Sequence, residues 1–239
     1  MHIIKKPSRE EAREVMPDIQ RRNFLKQLGM GAAFVTAATI ATGCHKDDDD
    51  NNMNGAGISL GSGDVAVLNY AYALEQLEAA FYTQVVLTPY TGITDMELDF
   101  FKDIRNHEIG HREFFKAALS TNAIAGLEVD FSSIDFTKRA SVLATAKAFE
   151  DLGVSAYNGA GQYISSSATG LVYLGLAGKI VSVEACHAAY IRDLIEPGSF
   201  AAADVVDANG LDKSRTPADV FNIAKAYIKT KINTNTLPK

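Results

Sequence analysis

Tryptophan is absent from this chain of 239 residues, which has only two cysteines and six prolines. Two cysteines form neither a disulfide framework nor a four-thiolate zinc site. Six prolines and 18 glycines exclude collagen-like and low-complexity architectures. Positive charge is scarce. The formal net charge is −6, and beyond residue 43 only 16 Lys/Arg stand against 25 Asp/Glu. An acidic body without a basic stripe argues against nucleic acid as a partner. What is present is ordinary: 47% apolar and 22% charged residues, which excludes a largely disordered protein. The length suits one domain, or two small ones, with a real core.

The apolar stretch from Met30 to Gly43 is 14 residues long, short of the roughly 20 that a helix needs to cross a bilayer. It follows Gln20-Arg21-Arg22-Asn23-Phe24-Leu25-Lys26 and ends at Cys44. A charged start, a short apolar run and a small-residue junction read as a signal peptide over residues 1–43. An amphipathic N-terminal helix fits this pattern less well. The Arg-Arg-x-Phe-Leu-Lys run resembles a twin-arginine export signal, with Gln20 where Ser or Thr is usual. Ala41-Thr42-Gly43-Cys44 resembles a lipoprotein cleavage box, with Ala41 where Leu is usual. Together they imply export, lipidation of Cys44 and a membrane anchor in the cell envelope, whether outer-membrane, periplasmic or surface-exposed.

Residues 44–63 read as a tether, since the adjacent carboxylates Asp47 to Asp50 repel one another. A calcium loop needs spaced ligands and a terminal Glu that are missing. Cys-x-Lys-Asp-Asp also resembles the acidic export tag of surface lipoproteins in some Gram-negative envelopes. With Cys44 lipidated, Cys186 has no cysteine left to pair with.

Beyond Asp64, apolar residues recur at spacings of three and four. The pattern predicts helices over about 65–87, 95–119, 137–164 and 169–195, with a short one over 217–228. Thr94 with Glu97 reads as a capping box. The connection 120–136 is long and holds a β-prone patch, and no run alternates long enough for a sheet. Hairpin, long crossover, hairpin predicts an all-α four-helix bundle with a short extra C-terminal helix.

Each long helix then carries polar residues in the stripe that should face the core. The stripes are Leu68, Ala71, Glu75, Glu78, Tyr82; Phe101, Ile104, Glu108, His111, Phe115; Leu143, Ala146, Glu150, Gly153, Tyr157; and Ile180, Glu184, His187, Ile191. The pattern repeats. Glu75 precedes Tyr82 by seven residues and Glu150 precedes Tyr157 by seven. Glu75 to Glu108 spans 33 residues and Glu150 to Glu184 spans 34, each second Glu opening a Glu-x-x-His. Glu78 has no counterpart, because Gly153 holds its position.

Glu and His at i and i+3 are neighbours on one helical face. One pair arises by accident in a chain this long; two pairs, each preceded by an in-phase Glu, match the inward ligand set of di-iron and di-manganese carboxylate bundles. The sequence here resembles the ferritin-like superfamily over roughly residues 64–195. The stretch Leu74 to Tyr82 is similar to bacterial ferritin-like proteins related to plant desiccation-associated proteins. The resemblance implies a metal-ligand set of Glu75, Glu108, His111, Glu150, Glu184 and His187, within a ferritin-like domain over 64–232 followed by a tail, 233–239. Glu108 and Glu184 are then the bridging ligands. Four carboxylates carry the charge that two divalent cations neutralise, and mixed carboxylate and imidazole ligation suits two Fe or Mn ions.

Other candidates have two readings each. Glu78 is either a further ligand or an edge residue bonded behind the ligands. Tyr82 and Tyr157 are redox-active or bonded to a ligand carboxylate, or they pack with a satisfied hydroxyl, the reading preferred. His107 is expected at the surface or behind the ligands, and Cys186 as a small buried hydrophobe. Gly110 is expected to let helices approach.

The function expected is an exported di-metal oxidoreductase that oxidises Fe(II) or reduces peroxide at the envelope, a role in oxidative stress. Its partners are metal ions, O2 or peroxide and an external reductant, since the sequence has no Cys-x-x-Cys pair. The alternative is a non-enzymatic, lipid-anchored stress or scaffold protein with a structural or vestigial metal site. Storage in a large oligomeric cage is a third, weaker option.

Overall fold

The computed structural model describes residues 57–239. The expected signal peptide, Cys44 and most of the acidic tether lie outside the described residues. Four long helices follow in order: α1 (Gly63–Leu87), α2 (Asp95–Leu119), α3 (Arg139–Ala160) and α4 (Ala168–Ile195), then a short α5 (Pro217–Ala224). Among the described residues there is no strand, only isolated bridges such as Val129 with Ile228. α1 packs on α2 and α3 on α4, giving two hairpins joined by the crossover, with α1 also against α3. This is the all-α bundle that the periodicity predicts.

Helix ends follow local chemistry. Thr94, Ser167 and Thr216 each place a side-chain oxygen on the first turn that follows, accepting from Glu97 N, Gly170 N and Asp219 N. The capping box is only half formed. The Glu97 carboxylate does not turn back to the cap; it accepts from the Tyr90 hydroxyl at 2.6 Å and from Arg139 at 2.9 and 2.5 Å. Glu97 therefore pins the start of α2 to the start of α3.

α1 is buried along most of its circumference, between α2, α3 and the crossover. Its polar residues hold the crossover in place. Asn69 donates to Leu60 O (3.0 Å) and Asn122 O (2.9 Å) and accepts from Ile124 N (3.0 Å). Gln76 Oε1 accepts from Leu127 N at 2.8 Å. Further along, Phe131 and Phe136 of the crossover meet Phe81, which also packs edge-on against Phe149 of α3. These contacts cover α1 where a fifth element is otherwise needed.

The expected boundaries at 63 and 233 do not match the packing. Ile58 N donates to Lys231 O (2.7 Å) and Ile58 O accepts from Asn233 N (2.8 Å). Leu60 is 1% exposed and Leu237 7%. Both segments belong to the packed body, because each contributes a buried side chain that hydrophobic pattern alone assigns to a linker or a tail. α4 carries the opposite anomaly: Leu171, Val172 and Leu174 in its first two turns are exposed.

Candidate metal centre

The four polar stripes converge. Glu75, Glu108, Glu150 and Glu184 are each 0% exposed, and His187 is 4% exposed. His111 keeps a slightly exposed edge. The helical period puts Glu108 and His111 one above the other on α2, and Glu184 and His187 on α4. The crossing of the two hairpins then brings these pairs face to face.

The geometry has two kinds of carboxylate. Glu108 turns one oxygen to each imidazole: Oε2 lies 3.6 Å from His111 Nδ1, and Oε1 lies 2.9 Å from His187 Nδ1. Glu184 does the same, with Oε1 2.8 Å from His111 Nδ1 and Oε2 3.6 Å from His187 Nδ1. Glu75 and Glu150 each serve one side. Glu75 Oε2 is 3.4 Å from His111 Nδ1, and Glu150 Oε2 is 3.5 Å from His187 Nδ1. Two groups of four result, Glu75–Glu108–His111–Glu184 and Glu108–Glu150–Glu184–His187, each with its donor atoms within 4.8 Å of one another. Opposite ligands around an octahedral ion at about 2.1 Å stand about 4.2 Å apart, so the spacing suits a cation at each focus.

The outer oxygens of Glu75 and Glu150 are held from across the bundle. Tyr82 of α1 donates to Glu150 Oε1 at 2.5 Å. Tyr157 of α3 donates to Glu75 Oε1. Each phenol thus takes one oxygen and leaves the other facing inward. Burial, followed by the neighbouring carboxylates, pushes both phenol pKa values well up, so the hydroxyls remain donors. The rings pack against Phe81, Phe101 and Phe115, and the partner that satisfies each hydroxyl is a carboxylate of the cluster.

The fit to cations shows in the atoms left over. Glu75 Oε2, Glu150 Oε2, both oxygens of Glu108 and of Glu184, and Nδ1 of both histidines are buried without a hydrogen-bond partner. The short His–Glu contacts do not relieve this, because they lie off hydrogen-bond direction. Each such atom costs about 1–3 kcal/mol, and here they share two foci. Charge tells the same story. Burial, then the other carboxylates, raises Glu75; burial and the Glu184 charge bring Glu108 to about 7. Burial raises Glu150 to about 8. Burial opposes ionisation of Glu184 too, yet contact with both histidines holds it at about 2. Burial disfavours a charged His111 as well, but the surrounding carboxylates lift it to about 12, and His187 rises likewise. With protein groups alone, positive charge is drawn onto the imidazoles; divalent cations meet the same demand.

Glu78 is 3% exposed and lies outside both groups of four. Its carboxylate fills the space over Gly153, where a Cβ would stand 3.0 Å from Oε1. Burial and four neighbouring carboxylates push its pKa well up. His107 reaches behind His187: its Nδ1 is 2.9 Å from His187 Nε2. Cys186 is exposed rather than buried. Gly110 is exposed too, with nothing near its Cβ direction. Both corrections have one cause. Each residue lies two positions after a core Glu, about 200° around the helix, and so points outward. Sequence reasoning also missed Arg192, a buried guanidinium held by both oxygens of Asp151 (2.7 and 2.6 Å) and by Asp204. Only three-dimensional proximity reveals that set.

The bundle brings two inward Glu-x-x-His pairs and two further carboxylates together as a buried cluster able to hold metal ions. Residues 63–197 match the family model for the ferritin-like domain, and the chain belongs to that family. No curated protein matches the chain.

Proposed function

We propose that this protein is an exported ferritin-like oxidoreductase that holds two iron or manganese ions and oxidises Fe(II) or reduces peroxide. The carrying observation is the split orientation of Glu108 and Glu184, one oxygen toward each histidine. In this reading both would serve two ions, with Glu75 and His111 completing one position and Glu150 and His187 the other. Mixed oxygen and imidazole donors without thiolate favour iron or manganese. Iron or manganese held there would supply one-electron redox chemistry, and a peroxide needs two electrons and two protons to leave as two waters.

The residues of the chain contribute orientation and exclusion of water. Tyr82 and Tyr157 fix which carboxylate oxygen faces inward. Phe101, Ile104 and Phe115 on α2 and Ile191 on α4, all nearly fully buried, close the interior above and below the polar layer. A dry surround strengthens every charge interaction within it. The envelope location rests on the sequence alone, on Arg21-Arg22 and on Cys44 after its small-residue junction.

Metal analysis of protein folded with iron and manganese both present tests the centre. Uptake of two ions per chain and Fe(II)-dependent peroxide consumption are expected, and both are lost in Glu108→Gln/Glu184→Gln. If the double variant loses metal and turnover while the cellular phenotype persists, the scaffold reading replaces this one.

A further inference from the structure

The internal repeat is broken at one position beside the centre. Glu108 and His111 of α2 correspond to Glu184 and His187 of α4, so His107 corresponds to Val183. The two residues are chemically unlike. His107 Nδ1 stands 2.9 Å from His187 Nε2, the two rings being within 9° of coplanar. Valine offers nothing to the outer nitrogen of His111. The polar layer is therefore two-fold in its ligands and one-sided in what stands behind them.

We propose that His107 is a positioning residue for one metal position only: it fixes the ring orientation and tautomer of His187 and makes the two positions unequal in affinity. The proposal rests on the dinuclear reading above. A neutral imidazole carries one proton, and the nitrogen that binds a cation must be the bare one. His187 Nδ1 faces Glu108 Oε1 at 2.9 Å, Glu150 Oε2 at 3.5 Å and Glu184 Oε2 at 3.6 Å, so it is the ligand atom. Its proton then sits on Nε2 and is donated to His107 Nδ1. His107 in turn carries its own proton on Nε2, at its exposed edge. One hydrogen bond thus determines both tautomers. Among the described residues His111 has no such partner, and it reaches the same state only with solvent behind it. Groups that orient a metal-bound histidine typically change metal affinity by about 10–100-fold.

The test uses the full chain with Co(II), whose spectrum reports occupancy and whose paramagnetism displaces the N–H signals of its histidine ligands. Two binding steps of unequal affinity are expected. His107→Phe keeps a planar ring but removes the acceptor; it should weaken the tighter step by about 10–100-fold and leave the other nearly unchanged. His107→Asn places an amide oxygen where Nδ1 stood and should restore the tighter step. In the natural protein one displaced N–H should exchange slowly with water and the other fast, the slow one becoming fast in the Phe variant. Uptake of two Co(II) with no effect of the Phe variant, equal weakening of both steps, or failure of Asn to restore overturns the inference and leaves the dinuclear reading standing. A chain that takes up no Co(II) overturns both. The exchange measurement needs no variant, and two N–H groups that exchange equally fast also overturn the inference.

Discussion

The crossed tyrosines show how much one hydroxyl decides at this centre. Tyr82→Phe and Tyr157→Phe each free the outer oxygen of one carboxylate of the cluster, Glu150 or Glu75, without changing the packing of the ring. Each should cost about 1–2 kcal/mol of stability and weaken one metal position about tenfold, read by denaturant unfolding and metal titration. Glu97 makes a separate prediction. Burial opposes its ionisation, but hydrogen bonds from Arg139 and Tyr90 outweigh that and hold its pKa below the usual 4.5. A carboxylate whose pKa is lower folded than unfolded stabilises fully above about pH 4.5, and that contribution fades as pH falls toward the folded value. Arg139 is partly exposed, so Glu97→Gln should cost only about 1 kcal/mol at neutral pH. The gap between variant and natural protein should narrow as pH falls below about 4.5; a gap that stays constant in unfolding experiments through that fall rules the pairing out as its source. At this scale the site was legible where the helical period governs, as for Glu108 and His111. It was illegible where helix register governs, as for His107 meeting His187 or Tyr82 crossing to Glu150.

Between elements, close approach and buried charge replace periodicity. A Cβ on Gly159 of α3 would stand 1.7 Å from the carbonyl oxygen of Arg215, in the segment leading to α5. Backbone cannot move aside as a side-chain tip can, so Gly159→Ala should destabilise by about 2 kcal/mol or more despite alanine's better helix propensity. Arg192 of α4 is 4% exposed at its side chain, while its partners Asp151 and Asp204 are 20% and 57% exposed. Arg192→Met strands the less exposed Asp151 and should cost about 3 kcal/mol, whereas Asp204→Asn should stay within about 0.5 kcal/mol. Comparable losses from the two variants, measured in the same denaturant series, refute this ranking. Helix positions were readable from sequence because spacing and caps are local. The Asn69 and Gln76 clamps on the crossover were not, since a polar residue in a core stripe announces a partner without saying which.

For the molecule as a whole, the buried carboxylates set stability against metal. Four Glu at the centre and Glu78 beside them make the fold depend on whatever neutralises them. Glu108→Gln should therefore melt higher than the natural protein in chelator at neutral pH, where it removes a carboxylate whose ionisation burial and the Glu184 charge oppose. With metal added, the order should reverse, because the natural protein gains more from binding, and the gain grows with free metal concentration. Thermal unfolding with and without chelator tests this crossing; a Glu108→Gln variant less stable in both conditions contradicts it. The bundle as a class was readable because four amphipathic stretches with a long crossover admit few arrangements. Its true extent was not, since Ile58, Leu60 and Leu237 look like tether and tail until they are seen to pack.

That pairing of Ile58 with Lys231 and Asn233 has a mechanical consequence. Tension arriving along the preceding chain would meet two backbone hydrogen bonds, and then the Leu60 plug, before reaching the first turn of α1. The C-terminal segment would then serve as a strain relief, taking up a pull on the N-terminal end before it reaches Glu75, three turns further along.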